Sequence, residues 1–222
     1  MKSTTSHALA LVGLTAFAWA AEAQTPTAPF QAGRHYAVLP SVQPTSTDTG
    51  KVEVAEVFMF GCGACFSFEP HVQRWFANKA DYINFVRIPA QWANHPGAPL
   101  HARAYYTAEA LGKTAQIEQP FFNEIHLNRN ALNTEAKLAD FFAKHGVDAA
   151  AFNSAFNSFA VNAKLKRAEE LVTRYGVQGT PTIVVNGKFV VAGDRAGGFD
   201  QWFAIVDDLA AREHAAATTA AR

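Results

Sequence analysis

The hydrophobic pattern changes period several times along the chain, and those changes delimit its elements. Val52-Glu53-Val54-Ala55-Glu56-Val57-Phe58-Met59-Phe60 is a β-branched and aromatic run bounded by Gly50 and Gly61, which predicts a central strand. From Cys65 to about Asn78 the spacing becomes helical, with Phe66, Val72, Trp75 and Phe76 on one face and Arg74 and Lys79 toward water. Pro70 lies inside that stretch and predicts a bend or a missing backbone hydrogen bond. Tyr82 to Ile88 reads as a second strand cut off at Pro89, and Tyr36 to Leu39 as an edge strand followed by a loop over 40–51.

After Ala90 the pattern turns helical for a long stretch. Ala102 to Leu111, Glu118 to Leu127, Glu135 to His145 and Ala149 to Phe159 each predict a helix, separated by Gly112, 128–133 and Gly146. Asn133-Thr134-Glu135 supplies a cap ahead of the third. Phe152, Phe156 and Phe159 fall at i, i+4 and i+7, one apolar stripe that is read as core. A longer helix is expected from Asn162 to Tyr175, ending at Gly176. Asn186-Gly187 between 182–185 and 189–191 is a hairpin signal. Phe199 to Arg212 gives a closing helix, and the alanine- and threonine-rich 213–222 is expected to fray. Strand, helix, strand, helical block, helix, hairpin and helix describe an α/β sheet domain interrupted by an all-helical insertion.

Composition narrows the class. Hydrophobic residues make up 49% of the 222, including 18 phenylalanines, so core material suffices for one elaborated domain or two small ones. Lys+Arg and Asp+Glu are both 19, a balance that argues against nucleic acid, which rewards clustered basic residues. The first residues read as an address: Lys2, an apolar run over 8–20, then Ala21-Glu22-Ala23 before Gln24. Cleavage is expected after Ala23, with Ala20 the second option. The run is short for a bilayer span and no later run reaches about 20 residues, so a soluble exported protein is expected.

Both cysteines sit in Phe60-Gly61-Cys62-Gly63-Ala64-Cys65-Phe66. A tetrahedral metal site wants four ligands, and no second pair exists to supply them. A bridge closing so short a loop constrains the unfolded chain little, so reactivity explains the pair better than stability does. At a helix amino terminus the first N–H groups have no intrahelical partner, which makes Cys62 the low-pKa thiolate and Cys65, one turn inside, the sheltered thiol. Glu56, on the strand face of Val54 and Phe58, is either a solvated edge glutamate or a buried carboxylate that exchanges a proton with Cys65 through water. Glu53 lies on the opposite face and is the weaker candidate. His71, His95, His101, His126 and His145 show no zinc-enzyme spacing, and neither metal nor cofactor is expected. Trp75 is read as helix packing. Phe60 and Phe66, with Met59, are expected to form an exposed apolar rim that suits unfolded clients.

Gly179-Thr180-Pro181-Thr182 stands just before the hairpin. Together with the export signal, the strand feeding a Cys-x-x-Cys helix and the helical insertion, it resembles the thioredoxin fold and, more closely, the DsbA family of bacterial periplasmic thiol:disulfide oxidoreductases. The resemblance covers roughly Tyr36 to Arg212. It implies Cys62 as nucleophile, Cys65 as resolving thiol, Pro181 in the cis form and Thr180 beside it holding substrate backbone. It matches Glu56 to the acid buried behind the cysteines and Pro70 to the kink of the first helix. Gly63, Ala64, Phe60 and Phe66 are expected to face substrate, and the inserted helices to form part of a peptide groove. The implied layout is a signal peptide over 1–23, a thioredoxin-like unit over 24–89 and 162–212, an inserted helical domain over 90–161, and a flexible tail over 213–222.

Ala64 departs from the family pattern, whose strong oxidants carry a histidine there. Neither Gly63 nor Ala64 has a side-chain donor for the Cys62 sulfur, so a thiol less acidic than in the histidine-containing relatives is expected. The function this implies is a monomeric periplasmic dithiol oxidase acting on unfolded, newly exported cysteine-containing proteins, reoxidised by a DsbB-type quinone-linked membrane partner. A reductase or narrow-client enzyme of the same fold is the alternative. A copper(I) chaperone using the two thiols is a more distant one.

Overall fold

The computed structural model describes residues 29–48, 50–193 and 196–220, and the expected signal peptide over 1–23 lies outside them. Within them five strands form one sheet: β1 (Ala37–Val38), β2 (Val52–Phe58), β3 (Ile83–Pro89), β4 (Thr182–Val185) and β5 (Phe189–Val191), in the order β1-β5-β4-β2-β3. β2 runs parallel to β3 and antiparallel to β4, which places it inside the sheet. All seven of its residues are buried, as expected of a strand covered on both faces. The Asn186-Gly187 turn joins β4 to β5, with φ of 50° and 62° and Lys188 N–H donating to the Val185 carbonyl.

Among the described residues seven helices surround the sheet: α1 (Gly63–Asn78), α2 (Ala98–Ala110), α3 (Thr114–His126), α4 (Glu135–Lys144), α5 (Ala149–Phe156), α6 (Phe159–Arg174) and α7 (Phe199–Ala220). One core joins Val52, Val54, Ile183 and Val185 to Phe68, Val72 and Trp75 of α1 and to Trp202, Phe203 and Val206 of α7. The other joins Ala55, Val57 and Val184 to Leu165, Ala168 and Val172 of α6 and continues into α2 through α5. From Val52 to Val57 of β2 and along β4 the apolar side chains divide between these cores by alternation, so each of these strands ties both together.

Three elements differ from the sequence reading. The stripe through Phe152, Phe156 and Phe159 is broken because Ser158 takes an extended conformation and caps a new helix, accepting the Val161 N–H at 3.2 Å. Phe152 and Phe156 remain in the core, while Phe159 becomes the first residue of α6 and is 87% exposed. On α1 the buried face is Cys65, Phe68, Glu69, Val72 and Trp75, and Phe76 points outward. The expected frayed tail is instead helix through Ala220. Tertiary contacts hold its start: Glu213 accepts from Asn186 and Lys188, and His214 stacks on Tyr82 at 4.2 Å.

Candidate active site

Cys62 is the cap of α1. With φ −85° and ψ 118° it is extended, its N–H donates to the Met59 carbonyl at 3.1 Å, and its sulfur accepts the Cys65 N–H at 3.4 Å. Both cysteines are reduced thiols, Cys62 half-buried and Cys65 fully buried. The loop before β4 closes the site: the Cys62 thiol donates to the Thr180 carbonyl at 3.3 Å, and the Thr180–Pro181 peptide is cis. Thr182 Oγ1 donates to the Gly179 carbonyl at 2.8 Å and fixes that loop. The Thr180 hydroxyl is buried and has no partner among the described residues.

The two sulfurs are driven in opposite directions. Hydrogen bonding from the Cys65 thiol does most to pull Cys62 down to about 5; partial burial opposes it, and Thr180 and the N–H groups of Cys65 and Ala64 add to the fall. Burial pushes Cys65 far above the free-thiol range, and the hydrogen bond to Cys62 and the charge there push it further. One sulfur is thus an anion at neutral pH and its neighbour a proton-bearing thiol.

Glu56 is buried, as one of the two sequence readings expected, but its partner was missed. The parallel register sets Arg87 of β3 beside it. Arg87 Nε lies 2.9 Å from Glu56 Oε2, near enough to attract but off line for a hydrogen bond, while Nη2 donates to Glu56 Oε1 at 3.3 Å. The same guanidinium donates to Glu69 of α1 at 2.8 and 3.3 Å and reaches Glu118 of α3 at 3.4 Å. Burial raises Glu56 to about 7; Arg87 pulls the other way, and Glu69 and Glu118 raise it further. Burial likewise raises Glu118. A cation inside the apolar run Phe85-Val86-Arg87-Ile88 was the signal available in the sequence. Glu53 is also buried, but it serves the fold, accepting from the N–H and hydroxyl of Ser46.

The predicted rim is only partly there. Gly63 and Ala64 are exposed beside Cys62, and Phe66 is half-buried with one face against His126. Phe60 and Met59 are core residues, at 1% and 6% exposure. The chain turns inward after β2 because Phe60 finds an aromatic nest: Phe121 at 4.2 Å, Phe122 at 4.8 Å and Phe58 at 5.1 Å. His126, to which the sequence assigned no metal role, has its Nε2 2.7 Å from the Phe60 carbonyl.

A strand delivering a half-buried, acidified cysteine to a helix start, with its partner thiol enclosed behind it and a cis-proline loop across it, defines a thiol:disulfide oxidoreductase of the thioredoxin fold. The comparisons agree and go further. A family model described as a DSBA-like thioredoxin domain matches residues 87–204. The thiol:disulfide interchange protein DsbA of Burkholderia cepacia is 38% identical over 189 residues, covering 85% of this chain and 86% of its own. That of Pseudomonas aeruginosa is 36% identical over 188 residues, covering 85% and 88%. The crystal structure of Pseudomonas aeruginosa DsbA superposes with a TM-score of 0.79 at 36% identity, over 85% of this chain and 97% of that one. The oxidoreductase DsbA of Xylella fastidiosa gives 0.77 at 31% identity, over 85% and 100%. The chain belongs to the DsbA family of thiol:disulfide interchange proteins, enzymes whose active-site cysteines exchange disulfides. Membership implies a periplasmic enzyme that meets exported proteins.

Proposed function

We propose that the protein passes its Cys62–Cys65 disulfide to exported polypeptides, with Cys62 as the attacked sulfur and Cys65 as the leaving one. A substrate thiolate attacks Cys62 Sγ, the Cys62–Cys65 bond breaks, and Cys65 departs with the electron pair. Buried as it is, Cys65 then takes up a proton. The substrate's second thiolate attacks the substrate sulfur of the mixed disulfide, expelling Cys62 as a thiolate. The substrate has lost two electrons, and the enzyme holds them as a thiol and a thiolate.

The observation that carries this direction is the lowering of Cys62 to about 5. A sulfur so stable as an anion is a good leaving group and stabilises the reduced enzyme, which makes the oxidised enzyme the stronger oxidant. Glu56, raised to about 7, supplies or receives the Cys65 proton through water. When Cys62 ionises it no longer donates to the Thr180 carbonyl, which is then open to the N–H of an extended substrate strand. Phe66, Gly63 and Ala64 form the surface beside it. In this reading residues 24–89 and 162–212 make the catalytic unit and 90–161 the insertion, export follows removal of 1–23, and a DsbB-type membrane partner restores the disulfide.

Equilibration of the purified protein with glutathione tests the direction. A potential close to about −120 mV is expected, and one close to about −270 mV would establish a reductase instead.

A further inference from the structure

We propose that His126 is a positioning residue for the nucleophile, a single imidazole from the helical insertion that grips the chain on both sides of Cys62 and so sets how well α1 stabilises its thiolate. The inference rests on the reading of Cys62 as the reactive sulfur.

On the upstream side, Nε2 of His126 lies 2.7 Å from the carbonyl oxygen of Phe60, two residues before Cys62. A carbonyl only accepts, so Nε2 carries the proton. On the downstream side, the imidazole stacks on Phe66, four residues after Cys62, with centroids 4.7 Å apart and planes 12° from parallel. Phe66 is tied to Cys62 in turn, its N–H donating to the Cys62 carbonyl at 3.0 Å. Packing of Phe121 and Phe122 against Phe60 holds α3, and with it His126, in place.

Between the two grips lies Gly61-Cys62-Gly63. A Cβ on either glycine would meet nothing within 4 Å, and neither has a positive φ, so neither close approach nor left-handed backbone demands glycine there. What two glycines contribute is backbone freedom, which works against holding a sulfur in one place. Among the described residues, His126 is the one side chain that hydrogen-bonds a backbone carbonyl of 59–61. The Cys65 N–H reaches Sγ at 3.4 Å, an ordinary length for a sulfur acceptor, and its alignment depends on where the loop holds Sγ.

Three substitutions separate the parts. His126→Phe keeps a stacking ring and removes the donor. His126→Gln places an amide N–H where Nε2 was. Gly63→Pro stiffens the first helical position, where proline is favoured and the extended Cys62 before it is compatible. Titration of the thiolate by ultraviolet absorbance in His126→Phe is expected to show Cys62 holding its proton between about threefold and tenfold more tightly, the range of one net hydrogen bond. The glutathione equilibrium is expected to move toward oxidised protein by the same factor, with His126→Gln, or Gly63→Pro added to His126→Phe, recovering most of it. A His126→Phe titration that overlays the parent, or a shift that neither recovery variant reverses, overturns the proposal. Should His126→Phe lose its unfolding transition, His126→Met supplies the same loss of donor. The titration needs no turnover, so a parent protein that fails to oxidise a reduced peptide defeats the oxidase reading without deciding this one.

Discussion

Two clusters of ionisable groups lie in the same fold and move in opposite directions. At the start of α1, Cys62 is drawn down to about 5, while beside β3 the Glu56 carboxyl is raised to about 7. Burial disfavours the charge in both places, and more at the fully enclosed Glu56 than at the half-buried Cys62. The number of donors per anion widens the difference. Around one sulfur stand the Cys65 thiol and the backbone N–H groups of Cys65 and Ala64, whereas a single guanidinium is divided among Glu56, Glu69 and Glu118. The first arrangement makes an anion at neutral pH and the second a reservoir that still holds a proton near neutrality.

Removing the anion itself has the largest consequence. Cys62→Ser is expected to lower the rate of peptide oxidation by at least roughly a thousandfold, as loss of a covalent nucleophile does, read by fluorescence of a reduced dithiol peptide. Next comes Arg87→Met, which leaves three carboxyls in or near the core without their cation. Breaking such a buried set costs about 3–5 kcal/mol, and urea unfolding at pH 7 measures it. If the variant loses less than about 1 kcal/mol, the guanidinium is not what keeps the cluster folded.

The two clusters also leave opposite marks on stability against pH. Glu56 has a folded pKa near 7, above its ordinary 4.5, so the unfolded chain gives up the proton first and stability falls as pH rises from about 4.5 to 7. Glu56→Gln is expected to remove that fall and to slow resolution of the mixed disulfide. An unchanged pH profile in both measurements would take Glu56 out of the mechanism. For Cys62 the sign reverses: its folded pKa of about 5 lies below the ordinary 9.0, so the reduced protein gains stability from about pH 5 to 9. The oxidised protein has no such thiol. The difference in unfolding free energy between the two forms should therefore widen with pH, and a flat difference would contradict an acidified Cys62. Ala64→His is the smallest change, adding one donor to a sulfur that already has several. A modest further drop in thiol pKa and a rise in potential are expected, and parallel titration and glutathione curves check both.

Much of the fold was legible in the chain. β2, β3 and the hairpin follow from apolar runs bounded by glycine, proline and Asn-Gly, and the start of α1 from the switch of period after Gly61. The Cys62 and Cys65 pair, Glu56 and the Thr180-Pro181 step were visible because each is a chemically conspicuous residue at a local landmark. Phe60 was misread because an aromatic after a strand is equally good as rim or core, and the choice was made by Phe121 and Phe122, far along the chain. The end of the last helix was misplaced for a related reason: an alanine-rich segment carries no core stripe, and Glu213 and His214 are held by residues of other elements.

By itself the sequence determined the dithiol, the helix that presents it and the alternation of strand and helix, because those depend on neighbours within a few residues. Only the tertiary structure decided that Arg87 serves three carboxylates and that His126 reaches the Phe60 carbonyl. These are contacts between segments tens of residues apart. Their energies come from desolvation and from the count of donors around each charge, and neither exists until the chain is folded.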